Sequence, residues 1–247
     1  MASTIYLSML LLCAVCYAAE EQGPALERCT QDDPNVNECL RKAIQSAIRS
    51  LKDGYAPLGM VPLDPLVIEQ LVLLSPENAK CDLNKYDVVG LTNVICEEAS
   101  FVVTGDKSFR LTFDLLLPQF DAAGTYSMEK GFLGNKKPNQ GSFTFNLTEY
   151  RANFVLDGAL STASDGQEYA TLTGVSSSFN GGINPRVHFE NLSQGRNKLW
   201  NRAPQGVLQG YKTAIDQLHP ILAQTYSNLL FQNVPFAYLF PPTKTAV

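Results

Sequence analysis

The distribution of apolar residues along the chain first predicts an amphipathic helix. From Val36 to Leu51, apolar residues recur at intervals of three and four, with Arg, Lys and Gln between them. This spacing gathers the apolar side chains on one face of an α-helix. Gly54 is expected to end the helix, because helix ends favour glycine. An apolar connector follows from Leu58 to Leu71, with the sequence LGMVPLDPLVIEQL.

From about residue 80 to residue 190, apolar positions alternate with polar ones, which predicts long β-strands. The clearest runs are Phe109 to Leu117 and Phe143 to Leu147. A third run, Ala152 to Leu156, continues with the opposite parity, so we expect a β-bulge near Thr148 and Glu149. Turn sequences separate the runs and no helical pattern intervenes, which favours an antiparallel sheet with one apolar face.

A helical period returns near the C-terminus, from Gln205 to Phe231. Its apolar ladder comprises Leu208, Tyr211, Ile215, Leu218, Leu222, Tyr226 and Leu229. A continuous helix of this length would extend for about 40 Å at ~1.5 Å per residue. Pro220 is expected to kink this helix or to remove one of its hydrogen bonds. The tail that follows, NVPFAYLFPP, is too rich in proline to extend the helix.

This order of elements predicts an α+β fold. The last helix is apolar over so wide an arc that it must be covered on more than one side, and a sheet curling around it would provide that cover. We therefore expect a strongly curved antiparallel β-sheet wrapped around a long C-terminal helix. No linker separates the strands from that helix, so residues 20–247 are expected to form a single domain.

Residues 1–19, MASTIYLSMLLLCAVCYAA, have the pattern of a signal peptide. The apolar run ends in small residues suited to cleavage near Ala18 or Ala19, although no Lys or Arg precedes it. A membrane anchor is the alternative, but a spanning helix needs about 20 apolar residues and no segment of the chain qualifies. The sequence therefore predicts a secreted, extracellular protein without stable membrane insertion.

Charge and motif content narrow the function by exclusion. The formal net charge is -5 and no run of Lys or Arg stands out, which argues against a nucleic-acid partner. The two histidines, His188 and His219, have no neighbours that would make them catalytic bases. We expect His188 to be a solvated strand residue and His219 a structural helix residue. No nucleophile motif, phosphate-binding loop or metal-ligand spacing is found, so we expect neither an enzyme nor a metal or cofactor site.

Secretion changes the interpretation of the cysteines. The two cysteines within residues 1–19 would be removed, and the four that remain are expected to be oxidised. Four cysteines permit three pairings. Cys29 and Cys39 flank a turn-like segment, which favours a bond between them. Cys81 and Cys96 would then pair if the chain doubles back between them, because one continuous strand would hold them out of bonding range.

Two N-x-S/T sequons, at Asn146 and Asn191, are candidate N-glycosylation sites in a secreted protein. Asn146 alternates with Phe145 and Leu147, which places it on the outer face of its strand. A sequon alone does not establish accessibility, so a glycan and a bare asparagine are the alternatives at each site.

Several segments of the chain, in the same order, resemble the insect takeout and juvenile hormone-binding protein family. The first is CLRKAIQSAIRSLKDGYAPLGMVPLDPLVIEQL, from Cys39 to Leu71, and the second is YDVVGLTNV, from Tyr86 to Val94. The later ones are FENLSQG at 189–195, QLHPIL at 217–222 and VPFAYLFP at 234–241. The resemblance covers nearly the whole chain beyond the predicted signal peptide.

The resemblance implies a fold and a function. It implies a super-roll related to the tubular lipid-binding folds, in which the curved sheet and the C-terminal helix enclose an elongated apolar tunnel. The implied ligands are juvenile hormone, related terpenoids, long-chain fatty acids or similar lipids, with roles in hormone transport, feeding, chemosensory behaviour or circadian output. The connector Leu58 to Leu71 would lead from the first helix into the sheet near one end of the tunnel. Asp64 would turn the backbone there, and binding of a ligand head group is the alternative.

These patterns favour a secreted carrier of a small hydrophobic ligand, either a terpenoid or a fatty acyl lipid. A curved sheet facing an apolar helix would leave a lined cavity, and each buried methylene of a lipid contributes ~0.8 kcal/mol. For any one lining residue, plain core packing is the alternative. The alternative function is a secreted interaction or signalling protein with a filled core, a receptor as its partner and no lipid ligand. The expected lining residues are Phe113, Leu115, Phe143, Phe145, Phe154, Tyr211, Ile215, Leu218 and Leu222.

Overall fold

The structure of the protein is a computed structural model that describes residues 26–31, 33–75, 78–179, 185–202 and 205–242. Within these ranges, the side chains of residues 133, 199–200, 205–211 and 213–215 are not described. The predicted signal peptide, residues 1–19, therefore lies outside the described residues, as do the side chains of Tyr211 and Ile215.

The expected sequence of a first helix, a block of strands and a long helix is observed, with three elements that the patterns did not predict: a strand at Leu66–Leu74 and helices at Gln194–Arg202 and Phe236–Leu239. The helices of the described residues are α1 (Val36–Ser50), α2 (Gln194–Arg202), α3 (Gln205–Phe231) and α4 (Phe236–Leu239). The strands are β1 (Leu66–Leu74), β2 (Lys80–Val89), β3 (Ile95–Gly105), β4 (Ser108–Met128), β5 (Asn139–Thr162), β6 (Glu168–Phe179) and β7 (Arg186–Phe189). Short 3₁₀ turns lie at Ala56–Leu58, Leu91–Asn93 and Phe132–Gly134.

The long strands β4 and β5 form the centre of an antiparallel sheet. They have 21 and 24 residues and pair from Ser108 opposite Ala159 to Met128 opposite Asn139. Two shorter strands lie end to end along the outer edge of each: β3 and β2 along β4, and β6 and β7 along β5. β1 extends the sheet beyond β2. The sheet thus has a β1 half, formed by β1, β2, β7 and the adjoining parts of β4 and β5, and a β3 half, formed by β3, β6 and the remaining parts.

The two halves meet where both central strands exchange their buried and exposed faces. The buried residues of β4 are odd-numbered as far as Leu117 and even-numbered from Phe120 onward. β5 changes parity at Glu149, whose φ of 55° is in the left-handed region, opposite Pro118 of β4. The pairing register is the same on either side of this point. The predicted change of parity is confirmed, but the predicted bulge is wrong, because a bulge opposes two residues to one whereas here both strands turn over together.

α3 confirms the predicted C-terminal helix and closes the curve of the sheet. It continues through Pro220 for 27 residues and contacts β1 and β6, which are the two ends of the main strand order. The Tyr226 hydroxyl donates a hydrogen bond to the carbonyl of Val61, and the Asn228 side chain accepts one from the backbone N–H of Leu172. These hydrogen bonds hold the helix against the connector on one side and against β6 on the other. The predicted α+β architecture, a strongly curved antiparallel sheet around a long C-terminal helix, is confirmed.

α1 confirms the first predicted helix, although Gly54 does not end it. The helix ends at Ser50, and Gly54 lies beyond it with a φ of 75°. A Cβ at Gly54 would be 2.5 Å from the carbonyl oxygen of Met60. The predicted role of Gly54 is therefore wrong: this glycine lets the connector fold closely against the end of α1.

The connector leads from α1 into the sheet, as predicted, but its residues from Leu66 onward already form the start of β1. Asp64 fixes the path of the part before the strand. One carboxylate oxygen of Asp64 accepts a hydrogen bond from the Gly90 N–H at 3.0 Å, and the other accepts one from the Thr92 hydroxyl at 2.7 Å. Both oxygens are therefore bonded within the fold. This arrangement agrees with the interpretation of Asp64 as a residue that shapes the backbone.

A disulfide ties the N-terminal segment to α1 and confirms the predicted Cys29–Cys39 bond, with Cα atoms 5.7 Å apart. The same segment contacts the C-terminal residues. The Cys29 N–H donates to the carbonyl of Leu239 at 3.2 Å, and the Arg28 guanidinium lies 3.6 Å from the centre of the Tyr238 ring. The two ends of the described chain therefore close against one another beside α1.

The predicted bond between Cys81 and Cys96 is wrong, because both thiols are free and buried. Cys81 pairs with Met128 and Cys96 with Leu115, positions 13 residues apart on β4. This separation corresponds to about 40 Å of strand, whereas a disulfide needs Cα atoms within about 7 Å. Burial raises the pKa of the Cys81 thiol to about 12 and that of Cys96 to about 11, so both thiols are neutral at pH 7.

Candidate ligand-binding cavities

An apolar cavity, cavity A, lies between α3 and the concave face of the β1 half. Its volume is about 80 Å³. Strand alternation and the change of parity at Glu149 direct its lining side chains inward. Cavity A is lined by Leu66, Ile68, Leu71, Leu73, Leu83, Tyr86, Val88, Leu91, Leu117, Phe120, Ala122, Phe143, Phe145, Tyr150, Val187, Phe189, Leu218, His219 and Leu222.

A second cavity, cavity B, lies between α1, α3 and the β3 half, next to the disulfide. Its volume is about 190 Å³. The apolar face of α1 and the C-terminal end of α3 supply much of the wall. Cavity B is lined by Leu26, Glu27, Cys29, Leu40, Ala43, Ile44, Ala47, Ile48, Ser50, Leu51, Met60, Leu111, Phe113, Leu156, Tyr226, Ser227, Leu230, Phe231, Leu239 and Phe240.

The predicted lining residues are distributed over both cavities and the layer between them. Those in the wall of cavity A are Phe143, Phe145, Leu218 and Leu222. Phe113 lines cavity B, whereas Leu115 and Phe154 are buried at 8% exposure in the core between the two cavities. The side chains of Tyr211 and Ile215 lie outside the described part of the chain. Contact of these residues with a ligand stays a prediction.

Cavity A contains a polar pair that the sequence patterns did not reveal, Tyr150 and His219. The Tyr150 hydroxyl lies 3.2 Å from the ring nitrogens of His219, and the two rings meet edge to face with centroids 5.5 Å apart. Tyr150 is the first inward residue after the change of parity in β5, and His219 follows Leu218 in the apolar ladder of α3. These two positions are the signals that could have identified the pair.

Burial keeps both members of this pair neutral at pH 7. It raises the pKa of the Tyr150 hydroxyl and lowers the pKa of His219 to about 4, with the charge of Asp216 opposing the latter shift. The His219 side chain is partly buried and borders cavity A. The wall therefore offers a ligand hydrogen bonds without a fixed charge. The position of His219 in α3, hydrogen-bonded to Tyr150 within the fold, agrees with the structural role predicted for it.

We expect the stability of the protein to fall as the pH falls from about 6.5 to about 4, through protonation of unfolded His219. Between these values the unfolded histidine binds more protons than the folded one. Each pH unit within this window removes up to about 1.4 kcal/mol. Chemical denaturation at a series of pH values measures this slope.

The substitution His219→Gln should flatten the slope within that window. His188→Gln is the matched control, because His188 is an exposed residue of β7 and confirms its predicted place on the strand surface. This control should change the slope less than His219→Gln does. An unchanged slope in His219→Gln would show that His219 does not titrate as its burial requires.

The two sequon asparagines each use their side-chain amide within the fold. Asn146 Nδ2 donates to Asp121 Oδ1 at 2.7 Å, and Asn191 Nδ2 donates to the carbonyl of Gln140 at 2.9 Å. Asn146 is partly exposed and Asn191 is exposed. Glycosylation at either site stays a prediction.

The described residues contain no group of three or more His, Cys, Asp or Glu side chains arranged to hold a metal ion. In the same part of the chain, no helix is both long and apolar enough to cross a membrane.

Comparison with known proteins supports a family assignment. Residues 8–241 match the family described as "Haemolymph juvenile hormone binding protein (JHBP)". A protein of Schistocerca gregaria, named "Putative beta-carotene-binding protein", is 22% identical over 216 residues, which cover 84% of this chain and 85% of that protein. The crystal structure of Epiphyas postvittana Takeout 1 has a TM-score of 0.66 at 17% identity, and the match covers 87% of this chain and 100% of that chain. At this identity the structural likeness shows the fold.

The family match confirms the resemblance seen in the sequence motifs. It includes the helix α1, the connector, every strand and the long helix α3. The Takeout 1 structure independently shows the same tubular fold. The chain therefore belongs to the haemolymph juvenile hormone binding protein family, a family of binding proteins.

Proposed function

We propose that this protein is a secreted carrier that holds a small hydrophobic ligand between the curved sheet and α3. The ligand class is a juvenile hormone-like terpenoid, a fatty acid or a similar lipid, and the name of the Schistocerca relative adds a carotenoid. The observation that carries the proposal is the lining of cavity A. Among its described side chains, only Tyr86, Tyr150 and His219 have polar atoms.

The chemistry of this wall suits an apolar molecule with one weakly polar group. Each methylene removed from water contributes ~0.8 kcal/mol, so most of the affinity would come from the hydrocarbon part of the ligand. The neutral pair of Tyr150 and His219 can exchange hydrogen bonds with an ester, epoxide, hydroxyl or protonated carboxyl group. A fixed positive or negative charge in the ligand would find no opposite charge among the described lining side chains of cavity A.

Ligand entry requires the lining side chains to move. The volumes of about 80 Å³ and 190 Å³ are smaller than the roughly 300–1,000 Å³ typical of pockets for small molecules. The lining residues Ile68, Leu71, Leu218 and Leu222 are only partly buried, whereas the residues from β4 and β7 are fully buried. The wall between β1 and α3 is therefore the part with the most freedom to repack.

Secretion is part of the proposal, and two observations support it. A disulfide joins Cys29 and Cys39, and such bonds form and persist in oxidising compartments. The family description places its members in haemolymph.

A space-filling substitution tests the proposal. Ala122 is 7% exposed and lines cavity A, so the ring of Ala122→Phe should occupy the space that the ligand needs. We expect the affinity for phenylnaphthylamine, an apolar fluorescent probe, to fall at least about tenfold, or ~1.4 kcal/mol. Fluorescence titration of wild type and variant measures this change.

The matched control is Ala123→Phe. Ala123 is the next residue of β4 and is exposed on the opposite face of the sheet, so this ring should leave the affinity within about twofold of wild type. Equal affinities in all three proteins would show that the probe binds elsewhere. Absence of binding to wild type would favour the alternative of a filled core without a lipid ligand.

A further inference from the structure

We infer that a layer of side chains between cavities A and B, the partition, limits the length of ligand that cavity A accepts. The partition consists of Phe113, Leu115, Phe154 and Ala223. The inference rests on the proposed carrier function and adds a selection rule to it. Without the partition, the two cavities would form one elongated space along α3.

The order of lining residues along β4 places the partition. Leu117 lines cavity A and Phe113 lines cavity B, while Leu115 between them belongs to neither described lining. β5 shows the same order, because Phe154 lies between Tyr150, which lines cavity A, and Leu156, which lines cavity B. Along both neighbouring strands, the lining residues thus switch from cavity A to cavity B at the same position in the sheet.

The long helix repeats this order. Leu222 lines cavity A, Tyr226 lines cavity B, and Ala223 packs against the core residues around both. Leu222 and Tyr226 are four residues apart, which is about 6 Å along a helix. The cavities are therefore separated by about one helical turn.

Phe154 is the central part of this barrier. Its ring stacks on that of Phe113 with centroids 5.2 Å apart and an interplanar angle of 16°. On the other side, the Phe154 ring lies 5.6 Å from that of His219, which lines cavity A. A stacked pair of aromatic rings thus spans the distance from the wall of one cavity to the wall of the other. A linear ligand extending through cavity A would meet this stack end on.

In a series of ligands that differ only in length, the partition should cause the binding affinity to stop increasing beyond a certain length. Each methylene that enters cavity A should strengthen binding about fourfold, the equivalent of ~0.8 kcal/mol. Methylenes beyond the limit stay in water and add nothing. Removing the Phe154 ring should join the cavities and move the limit to longer chains.

Straight-chain primary alcohols, lengthened one methylene at a time, test this inference by displacement of bound phenylnaphthylamine. For wild type we expect affinity to increase and then level off. For Phe154→Ala the increase should continue for several further methylenes. Phe154→Leu keeps an apolar side chain in the core and should shift the limit in the same direction by a smaller amount, which provides a second variant if Phe154→Ala does not fold.

Phe132→Ala is the matched control, because Phe132 is 2% exposed and belongs to neither described lining. The affinity of this variant should level off at the same alcohol length as the affinity of wild type. If wild type, Phe154→Leu and Phe154→Ala all bind alcohols and level off at the same alcohol length, that result would contradict the partition but leave the carrier function intact. A wild-type series without any limit would also overturn it. Failure of every alcohol to bind wild type would instead contradict the carrier function.

Discussion

Replacing Phe109 with alanine is expected to lower the free energy of unfolding by about 3–5 kcal/mol. Phe109 is 2% exposed, and its ring lies 5.6 Å from Phe101, 5.9 Å from Phe231 and 5.3 Å from Phe236. This cluster joins β4 to the end of α3 and to α4, next to cavity B. The substitution would leave a void among rings that are held by three different elements. Urea denaturation of wild type and variant measures the loss.

Val103→Ala is the control for this prediction. Val103 pairs directly with Phe109 across β3 and β4 but is 59% exposed. Its truncation should cost less than about 1 kcal/mol, because it removes only an exposed strand side chain. Similar losses in the two variants would mean that the aromatic cluster is not what holds the C-terminal elements on the sheet.

Breaking the disulfide with Cys39→Ser is expected to cost about 2–4 kcal/mol. The bond closes a loop with a sequence separation of 10 and holds the N-terminal segment against α1. Cys29 is 1% exposed and lines cavity B, so its release should also open the wall of that cavity. Thermal or urea unfolding under non-reducing conditions measures the loss of stability.

Reductant provides the control for the disulfide prediction. Its addition to wild type should reproduce the loss of stability seen in Cys39→Ser and should have little further effect on the variant. The free thiols of Cys81 and Cys96 are present in both proteins, so they do not alter this comparison. A variant as stable as oxidised wild type would contradict a structural role for the bond.

Local periodicity predicted most of the fold. A helix repeat and a strand alternation depend on residues only a few positions apart, so α1, β4 and α3 could be recognised one segment at a time. The parity change at Glu149 was also visible in a single strand. That strand alone could not show whether a bulge causes the change, because the answer depends on Pro118 in the neighbouring strand, where the same reversal occurs. Pairing between strands is a property of the whole sheet.

The cysteine prediction failed for a related reason. The second bond followed from the assumption that all four cysteines are oxidised, and nothing local to Cys81 or Cys96 supported it. The fold places Cys81 at one end of β4 and Cys96 near its middle, on strands that lie end to end along its edge. Sequence separation is a poor guide to distance once two strands share a long partner.

The sequence predicted which side chains face the interior, but it could not predict where cavities remain between them. Alternation correctly turned Phe143, Phe145 and Phe154 toward the interior, since all three are buried. Whether an inward side chain borders a cavity or fills the gap depends on how the opposite elements interlock. Phe143 and Phe145 border cavity A, whereas Phe154 stacks on Phe113 and helps to divide the interior. Packing of this kind is decided by contacts between distant segments.

The most direct test of the central claim is to identify what the interior holds when the protein is made in a secretory host. Organic extraction and mass spectrometry would identify the bound lipid, and its addition to stripped protein would be followed by thermal unfolding. At a ligand concentration 100 times the Kd, stabilisation of ~2.7 kcal/mol should raise Tm by about 5–10 °C. An extract without lipid, together with an unchanged Tm across terpenoids and acyl lipids, would contradict the account.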